Sequence, residues 1–131
     1  MISKRLKNIF LLSLLLIYSH GVEEIIGGFQ HFDSFMVFGA KYFGTTPEVF
    51  YWISHLVFWI LLPTLFLLFR NRRIGLVLIS MFGLIFFIEI HHIIKGITAN
   101  RYYPGMTTAL FYPVIGFFFW KELIKNWRTV K

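Results

Sequence analysis

The chain of 131 residues contains no cysteine, which excludes disulfide bonds and every metal site that depends on thiolate ligands. Acidic residues are also scarce. There are six, and charged residues make up only 15% of the sequence, against about 25% in an average soluble domain. Hydrophobic residues reach 57% and gather in long runs. This composition favours one membrane domain, residues 1–131, over a soluble protein.

Four apolar segments approach the roughly 20 residues that a membrane-spanning helix requires. Their approximate boundaries are Ile9–Ile26, Pro47–Phe69, Ile74–Lys95 and Gly105–Trp120. Strands that cross a bilayer are shorter and alternate in polarity, and these segments do not. Pro63 and Pro113 lie inside two of the segments, and each predicts a kink. We therefore expect an all-α membrane protein, a bundle of four transmembrane helices.

The net charge of +7 does not indicate a nucleic-acid partner, because the basic residues cluster at the ends of the apolar segments. The clusters are Lys4, Arg5 and Lys7; Arg70, Arg72 and Arg73; and Lys121, Lys125, Arg128 and Lys131. In a four-span topology all three lie on one side, where they can contact anionic lipid headgroups. The positive-inside rule then places both termini in the cytoplasm. A signal peptide cleaved near Ser19 and Gly21 is the alternative for the first segment.

The first outer connection, residues 27–46, is longer than the others and rich in phenylalanine. Phe29, Phe32, Phe35 and Phe38 recur every three residues. This spacing predicts a short amphipathic helix that lies at the membrane interface. A disordered hydrophobic loop is the alternative.

Carboxylates and imidazoles lie inside the apolar segments, where each ionisable side chain costs roughly 2.5–3.5 kcal/mol on insertion scales. His20, Glu23 and Glu24 have the spacing i, i+3, i+4, which places them on one face of the first helix. Glu89 and His92, spaced i, i+3, share a face of the third helix. Ionisable side chains are retained in membrane-spanning segments when something offsets this cost. They usually pair with one another, bind a metal, form a proton path or belong to a catalytic site.

A helix rises about 1.5 Å per residue, so His55 of the second helix should lie at the same depth as His20 and Glu89. Glu-x-x-His pairs on facing helices are one way in which helical bundles bind metal ions. We therefore predict a divalent metal, zinc or iron. The candidate ligands are His20, Glu23, Glu24, His55, Glu89 and His92. His91 points away from the Glu89–His92 face, and His31 lies in the loop, so neither is expected to be a ligand.

Two motifs resemble a known family of small bacterial integral membrane proteins. His20-x-x-Glu23-Glu24 is similar to the motif after which the HXXEE family is named. His92 and the segment Tyr102-Tyr103-Pro104-Gly105-Met106-Thr107-Thr108-Ala109 are similar to that family's later histidine and its Tyr-x-Pro-Gly-x-x-Thr-Ala motif. The resemblance covers most of the chain. It implies a multi-span protein of the bacterial inner (cytoplasmic) membrane with an active site, and it implies no particular substrate.

Together these features predict a membrane-embedded, metal-dependent enzyme that acts on a lipid or another apolar small molecule. One zinc ion would suit a hydrolase, and two iron ions an oxidative reaction. Whichever of Glu23 and Glu24 is not a ligand would be the general base. Tyr103 and Thr107 would position the substrate or stabilise an oxyanion.

The sequence leaves other interpretations open. A metal-free acid–base enzyme, such as an isomerase, could use the same carboxylates and imidazoles. The chain could also be a non-enzymatic protein that binds or transports a lipid or an ion, although the almost wholly apolar inner half argues against transport. A purely structural polar cluster is the third possibility. With only four helices, a homodimer could complete the structure.

Overall fold

A computed structural model describes residues 2–65, 67 and 71–130 of the chain. Within this part every regular element is a helix, which confirms the predicted all-α class. The helices are α1 (Lys4–Gly27), α2 (Phe29–Phe32), α3 (Ser34–Tyr42), α4 (Pro47–Thr64), α5 (Arg72–Phe82), α6 (Ile85–Ile88), α7 (Ile90–Thr98), α8 (Met106–Ala109) and α9 (Tyr112–Arg128). The predicted end of the second segment at Phe69, and the basic residues Arg70 and Lys131, lie outside the described residues.

Helix α1 is longer than the apolar run that predicted it. It begins at Lys4 because the Ser3 hydroxyl accepts a hydrogen bond from the Leu6 amide, which caps the first turn. It ends where Gly28 takes a left-handed conformation, with φ of 71°. By length and composition α1 could cross a membrane, and so could the stretch Arg72–Thr98.

The third predicted segment is one apolar stretch but three helices. The regular helical hydrogen bonding is interrupted at Gly83 and Leu84, between α5 and α6, and again at Glu89, between α6 and α7, although the backbone stays in the right-handed helical region at all three residues. At the second break the His92 amide donates to the Glu89 carbonyl at 3.3 Å, an i to i+3 bond. The backbone is therefore more tightly wound at the very pair that the sequence marks as functional.

Both prolines lie near helix ends. Pro63 is the last but one residue of α4, and Pro113 is the second residue of α9. The regular helix is interrupted just before Pro113, at Leu110 and Phe111, which is the turn that a proline disturbs. The bend at each proline stays a prediction.

The predicted interfacial helix is replaced by two short helices, α2 and α3. They are separated at Asp33, whose carboxylate accepts hydrogen bonds from the Phe35 and Met36 amides and so starts α3. Phe29 is buried, whereas Phe32, Phe35 and Phe38 are exposed. The phenylalanine spacing therefore marks a helical, largely exposed apolar surface, and Asp33 decides where the helix is interrupted.

The buried interior consists of a large and a small apolar cluster. The large one includes Leu6, Phe10, Leu14 and Ile17 of α1 with Leu76, Ile79, Phe82, Phe86, Phe119 and Leu123 of later helices. The small one is formed by Phe29, Met36, Tyr51 and Tyr103, with Ile25 packed against it. Along α1, His20 and Glu24 fall between Ile17 and Ile25. The polar residues thus lie where the two clusters meet.

Candidate metal centre

Four side chains from two parts of the chain meet at one point. His20 and Glu24 project from α1, Glu89 from the α6–α7 junction, and His92 from α7. Each offers one ligand atom, and these four atoms lie within 4.8 Å of one another. His20, Glu24 and His92 are buried, and the Glu89 side chain is only 16% exposed. We call these residues the His2Glu2 group.

Five of the six separations between ligand atoms in the His2Glu2 group are close to those around a tetrahedral ion, and all four atoms lie within 4.8 Å of one another. The two imidazole Nε2 atoms are 3.2 Å apart. His20 Nε2 lies 3.6 Å from Glu24 Oε1 and 3.0 Å from Glu89 Oε2, and His92 Nε2 lies 3.3 and 3.1 Å from the same oxygens. Four ligands about 2.0–2.1 Å from a tetrahedral ion are separated by about 3.3 Å. The measured separations therefore leave a space of the right size for one ion.

The backbone fixes the tautomer of the His92 imidazole. His92 Nδ1 lies 2.6 Å from the Pro104 carbonyl oxygen. A carbonyl only accepts hydrogen bonds, so Nδ1 carries the proton and donates it. In the neutral imidazole, the Nε2 lone pair then points at the centre of the His2Glu2 group. This is how proteins orient histidine ligands of metals.

His20 reaches the same tautomer through a longer chain of hydrogen bonds. The Thr108 hydroxyl donates to Glu23 Oε2 at 2.6 Å, because a carboxylate only accepts. Its oxygen is then left to accept from His20 Nδ1, which lies 2.7 Å away. A neutral His20 therefore also presents an Nε2 lone pair to the centre.

Four electron-rich atoms consequently face one another in a buried space. Two carboxylate oxygens and two imidazole lone pairs about 3 Å apart repel unless a cation lies between them. The cation can be a metal ion, or protons held on the imidazole Nε2 atoms. The geometry thus requires positive charge at this centre, and it accommodates a single divalent ion.

The segment before α8 supports both histidines. Pro104 supplies the carbonyl for His92, and Thr108 supplies the hydroxyl for His20. Gly105 lies between them with φ of 87°, and a Cβ at this position would come within 2.7 Å of both His20 Cε1 and His92 Nδ1. The backbone approaches the imidazoles so closely that only glycine fits. This gives a physical role to the Pro-Gly-x-x-Thr part of the motif.

Glu24 is shared between the His2Glu2 group and two residues of α4. Its second oxygen, Oε2, accepts a hydrogen bond from the Tyr51 hydroxyl at 2.9 Å and lies 3.4 Å from His55 Nε2. His55 Nδ1 is 2.9 Å from the Tyr51 carbonyl and therefore donates to it. His55 thus touches Glu24 but is not one of the four residues whose ligand atoms meet.

Glu23 lies outside the His2Glu2 group, although it was a predicted ligand or base. Its oxygens accept from the Thr107 and Thr108 amides at 2.9 and 2.8 Å, from the Thr108 hydroxyl, and from the Tyr102 hydroxyl at 2.7 Å. Consecutive helix residues point about 100° apart, so Glu23 and Glu24 cannot both face one centre. Burial and the Glu23 carboxylate raise the pKa of Tyr102 to about 12.

The other predicted residues are spread around the centre. The Tyr103 hydroxyl donates to Asp33 at 3.0 Å, while its ring packs against His92 with the centroids 5.6 Å apart. Thr107 contacts Glu23 through its backbone amide. His31 pairs with Glu48 at 3.3 Å on the surface. His91 Nδ1 donates to the Ile88 carbonyl, 2.9 Å away, and is not one of the four, as expected from its direction on the helix.

A cavity of about 420 Å³, which we call the large cavity, opens beside the centre. Glu24, His55, Glu89, His91 and His92 line it on the polar side. Phe29, Phe35, Met36 and Ile88 line it elsewhere, and Asp33, Ser34 and Lys95 complete the wall. This volume lies in the range of small-molecule sites. A mostly apolar molecule could therefore reach the carboxylates and imidazoles.

An ion pair closes one side of the large cavity. Lys95 Nζ donates to Asp33 Oδ2 at 2.5 Å and to the Tyr103 hydroxyl at 3.2 Å. Burial would raise the pKa of Asp33, but the hydrogen bonds from Lys95 and Tyr103 and the charge of Lys95 outweigh it and lower that pKa below its usual value. The pair joins the start of α3 to α7.

The chain matches no family model, no curated protein and no solved structure with which it was compared. The resemblance to the HXXEE family therefore stays a prediction. The sequence had no signal for Tyr51, which looked like one more interfacial aromatic residue. Thr108 and Gly105 were visible only as parts of the motif, without a role.

We expect Gly105→Ala to destabilise the protein far more than Gly44→Ala. Gly44 also has positive φ, 65°, but a Cβ there would meet nothing within 4 Å. Both variants carry the left-handed backbone strain of about 1–2 kcal/mol, and only Gly105→Ala adds a collision with two imidazoles, worth about 1–3 kcal/mol more. Thermal unfolding in detergent measures the difference. Equal losses would contradict the close approach at Gly105.

Asp33→Asn should reduce stability by about 1–2 kcal/mol at neutral pH, because it leaves Lys95 without a carboxylate. Since the folded-state pKa of Asp33 is lowered, the wild type has this stabilisation above the ordinary aspartate value of about 4 and loses it as the pH falls further. The gap in unfolding temperature between wild type and variant should therefore close at low pH. Glu48→Gln, on the exposed His31 pair, is the control and should change little. A gap that persists at low pH would argue against the ion pair.

Proposed function

We propose that the chain is a membrane-embedded metalloenzyme that binds one divalent ion through His20, Glu24, Glu89 and His92. The observation that carries this proposal is the convergence of four acceptor atoms within 4.8 Å of one another, with both imidazoles held in the tautomer that metal ligation needs. Two nitrogen and two oxygen donors suit zinc or iron(II). One ion fits better than two, because the other nearby imidazoles, His55 and His91, are not among the residues whose ligand atoms converge.

The surface supports insertion in a membrane. Along α4 only Tyr51 and Leu62 are buried. The large apolar side chains exposed on this helix are Val49, Trp52, Ile53, Leu56, Val57, Phe58, Ile60 and Leu61. A soluble monomer rarely exposes a continuous apolar patch larger than a few hundred Å². With α1 and the stretch Arg72–Thr98 as two spans, α4 and α8–α9 supply the other two of a four-span bundle.

The large cavity is the substrate site in this proposal. Its apolar wall of Phe29, Phe35, Met36 and Ile88 suits a lipid or another apolar molecule, and its polar wall contains the ion ligands. The ion would polarise a carbonyl or activate water there. His55 lines the cavity without being one of the four ligands, so its imidazole is the group best placed to exchange protons with the substrate.

A metal-free acid–base enzyme is the second candidate. It is favoured by the same contacts, because each Nε2 atom lies within 3.0–3.1 Å of Glu89 Oε2 and would bind it strongly if protonated. In that case two imidazolium groups, rather than a metal, would neutralise the carboxylates. The two candidates differ in metal content and share the large cavity.

Transport receives less support. A proton or ion path needs polar groups along the membrane depth. The residues of α1 on the inner side of His20 that belong to the large apolar cluster include Phe10, Leu14 and Ile17, and Ser13 among them donates its hydroxyl to the Ile9 carbonyl. The polar centre therefore opens to one side of the described bundle.

For the topology, we expect both termini to lie in the cytoplasm, because the basic clusters flank that side of the bundle. A reporter domain that works only in the cytoplasm should therefore be active when it is fused to either terminus. Intact-mass measurement should show that His20 remains in the mature chain. An external C-terminus would contradict the four-span proposal. A mature chain that starts after His20 would remove a ligand and contradict the site.

For the metal, we expect one zinc or iron ion per chain by elemental analysis after gentle purification. His20→Ala and His92→Ala should abolish stoichiometric binding, because each removes one imidazole ligand of the ion and leaves the Glu24 and Glu89 carboxylates with a single histidine. His31→Ala, on the surface, is the control and should keep the ion. Glu23→Gln should keep the stoichiometry but weaken affinity about 10–100-fold, because Glu23 acts through Thr108 on His20.

The metalloenzyme would be excluded if the wild-type protein contained no metal after purification and its activity did not change on addition of Zn²⁺ or Fe²⁺. The acid–base enzyme would then lead, provided that Glu24→Gln abolished activity while the folded bundle persisted.

A further inference from the structure

Tyr112, the first residue of α9, has no role in the site so far described. It is fully buried, and its ring packs edge-on against His20 with the ring centroids 5.3 Å apart. Its hydroxyl has no hydrogen-bond partner in the described part of the chain.

An unpartnered buried hydroxyl costs about 1–3 kcal/mol. Comparable tyrosines in this protein avoid that cost. Tyr18 donates to the Trp59 carbonyl at 2.7 Å, Tyr51 to Glu24 at 2.9 Å, and Tyr103 to Asp33 at 3.0 Å. The exception at Tyr112 therefore suggests a partner that is not a protein group.

The space for such a partner is next to the His2Glu2 group. A second cavity of about 50 Å³, the small cavity, is lined by Tyr112, His20, Glu24, His55 and Glu89. Its remaining lining is apolar: Ile17, Gly21, Phe58, Trp59 and Ile85. A water molecule occupies about 30 Å³ in the liquid and needs two to four polar partners when buried. The small cavity meets both conditions for one water.

The two cavities lie on different sides of the same ligands. Glu24, His55 and Glu89 line both of them. The large cavity adds residues of α2, α3 and α7, such as Phe29, Met36 and Lys95, whereas the small cavity adds residues from deeper in α1 and α4. The ion would thus lie between a wide cavity suited to an apolar molecule and a narrow one suited to a single oxygen atom.

We propose that the small cavity binds one water molecule as the non-protein ligand of the ion, and that the Tyr112 hydroxyl donates a hydrogen bond to that water. This inference rests on the proposed metal site and adds a catalytic residue to it. A catalytic metal site keeps a position for water besides its protein ligands, and with the four residues of the His2Glu2 group this water would make the ion five-coordinate. Tyr112 orients that water and favours its deprotonated form, because a donor stabilises negative charge on the oxygen.

The test compares wild type, Tyr112→Phe and Tyr18→Phe, each loaded with Co²⁺ in detergent. Tyr18→Phe is the matched control, because it removes a hydroxyl that is bonded to a backbone carbonyl and does not line the small cavity. Double resonance in ¹⁷O-enriched water detects an exchangeable oxygen ligand on the ion. Visible absorption against pH reports the acid dissociation of that ligand.

We expect one exchangeable oxygen ligand in the wild type and unchanged Co²⁺ stoichiometry in both variants. Tyr112→Phe should lower the acid-dissociation constant of the bound water about tenfold, the effect of one hydrogen bond to a charged group. Tyr18→Phe should leave it unchanged. The Co²⁺-loaded Tyr112→Phe protein should also unfold at a lower temperature than wild type.

Three results would overturn the inference alone: Co²⁺ bound without an exchangeable oxygen ligand, equal acid dissociation in Tyr112→Phe and Tyr18→Phe, or a higher unfolding temperature for Tyr112→Phe. The last result would mean that the hydroxyl has no partner in the loaded protein. If Tyr112→Phe does not fold, the wild type still tests whether the ion has an exchangeable oxygen ligand, and the absence of one overturns the inference. A wild type that binds no Co²⁺ would overturn the proposed metal site, and the inference with it.

Discussion

The protein is organised around electrostatic repulsion that a cation must relieve. His92 and His20 each have the Nδ1 proton committed to an oxygen acceptor, so in their neutral forms both Nε2 lone pairs face the oxygens of Glu24 and Glu89. Water is largely excluded from this point, and in such surroundings uncompensated negative charge is expensive. A divalent ion would neutralise both carboxylates and would use all four atoms as ligands.

The rest of the fold serves to hold these four atoms together. Helix α1 contributes two of them, and the stretch from α6 to α7 contributes Glu89 and His92, whose i, i+3 spacing places both on the face that meets α1. The segment before α8 reaches both histidines, and Gly105 lets its backbone come close enough to do so. A change at Gly105 therefore acts on ligand geometry even though glycine has no functional group.

Some of this arrangement could be predicted from the sequence, and the reasons are physical. Charged groups in apolar segments are costly, so His20, Glu24, Glu89 and His92 were conspicuous, and helical spacing with a common depth grouped them correctly. Sequence spacing could not choose between Glu23 and Glu24, because either fits a face that includes His20. That choice depends on α8, whose Thr107 and Thr108 amides bind Glu23.

Other features depend on packing between segments remote in sequence. The contact of Tyr51 with Glu24 and the unpartnered hydroxyl of Tyr112 involve α4 or α9 meeting α1. No local pattern marks one aromatic residue among many as the one that faces a polar centre. For the same reason Tyr103 and Thr107 were assigned to the site, although their polar contacts are with Asp33, Lys95 and Glu23.

X-ray absorption at the metal edge of the purified protein tests the central claim most directly. The account predicts an ion bound by about two imidazole nitrogens and two carboxylate oxygens at about 2.0–2.1 Å, with the multiple scattering that imidazole rings produce and that disappears in a His20→Ala, His92→Ala double variant. An absorption edge without imidazole scattering, or a spectrum that the double variant leaves unchanged, would contradict it.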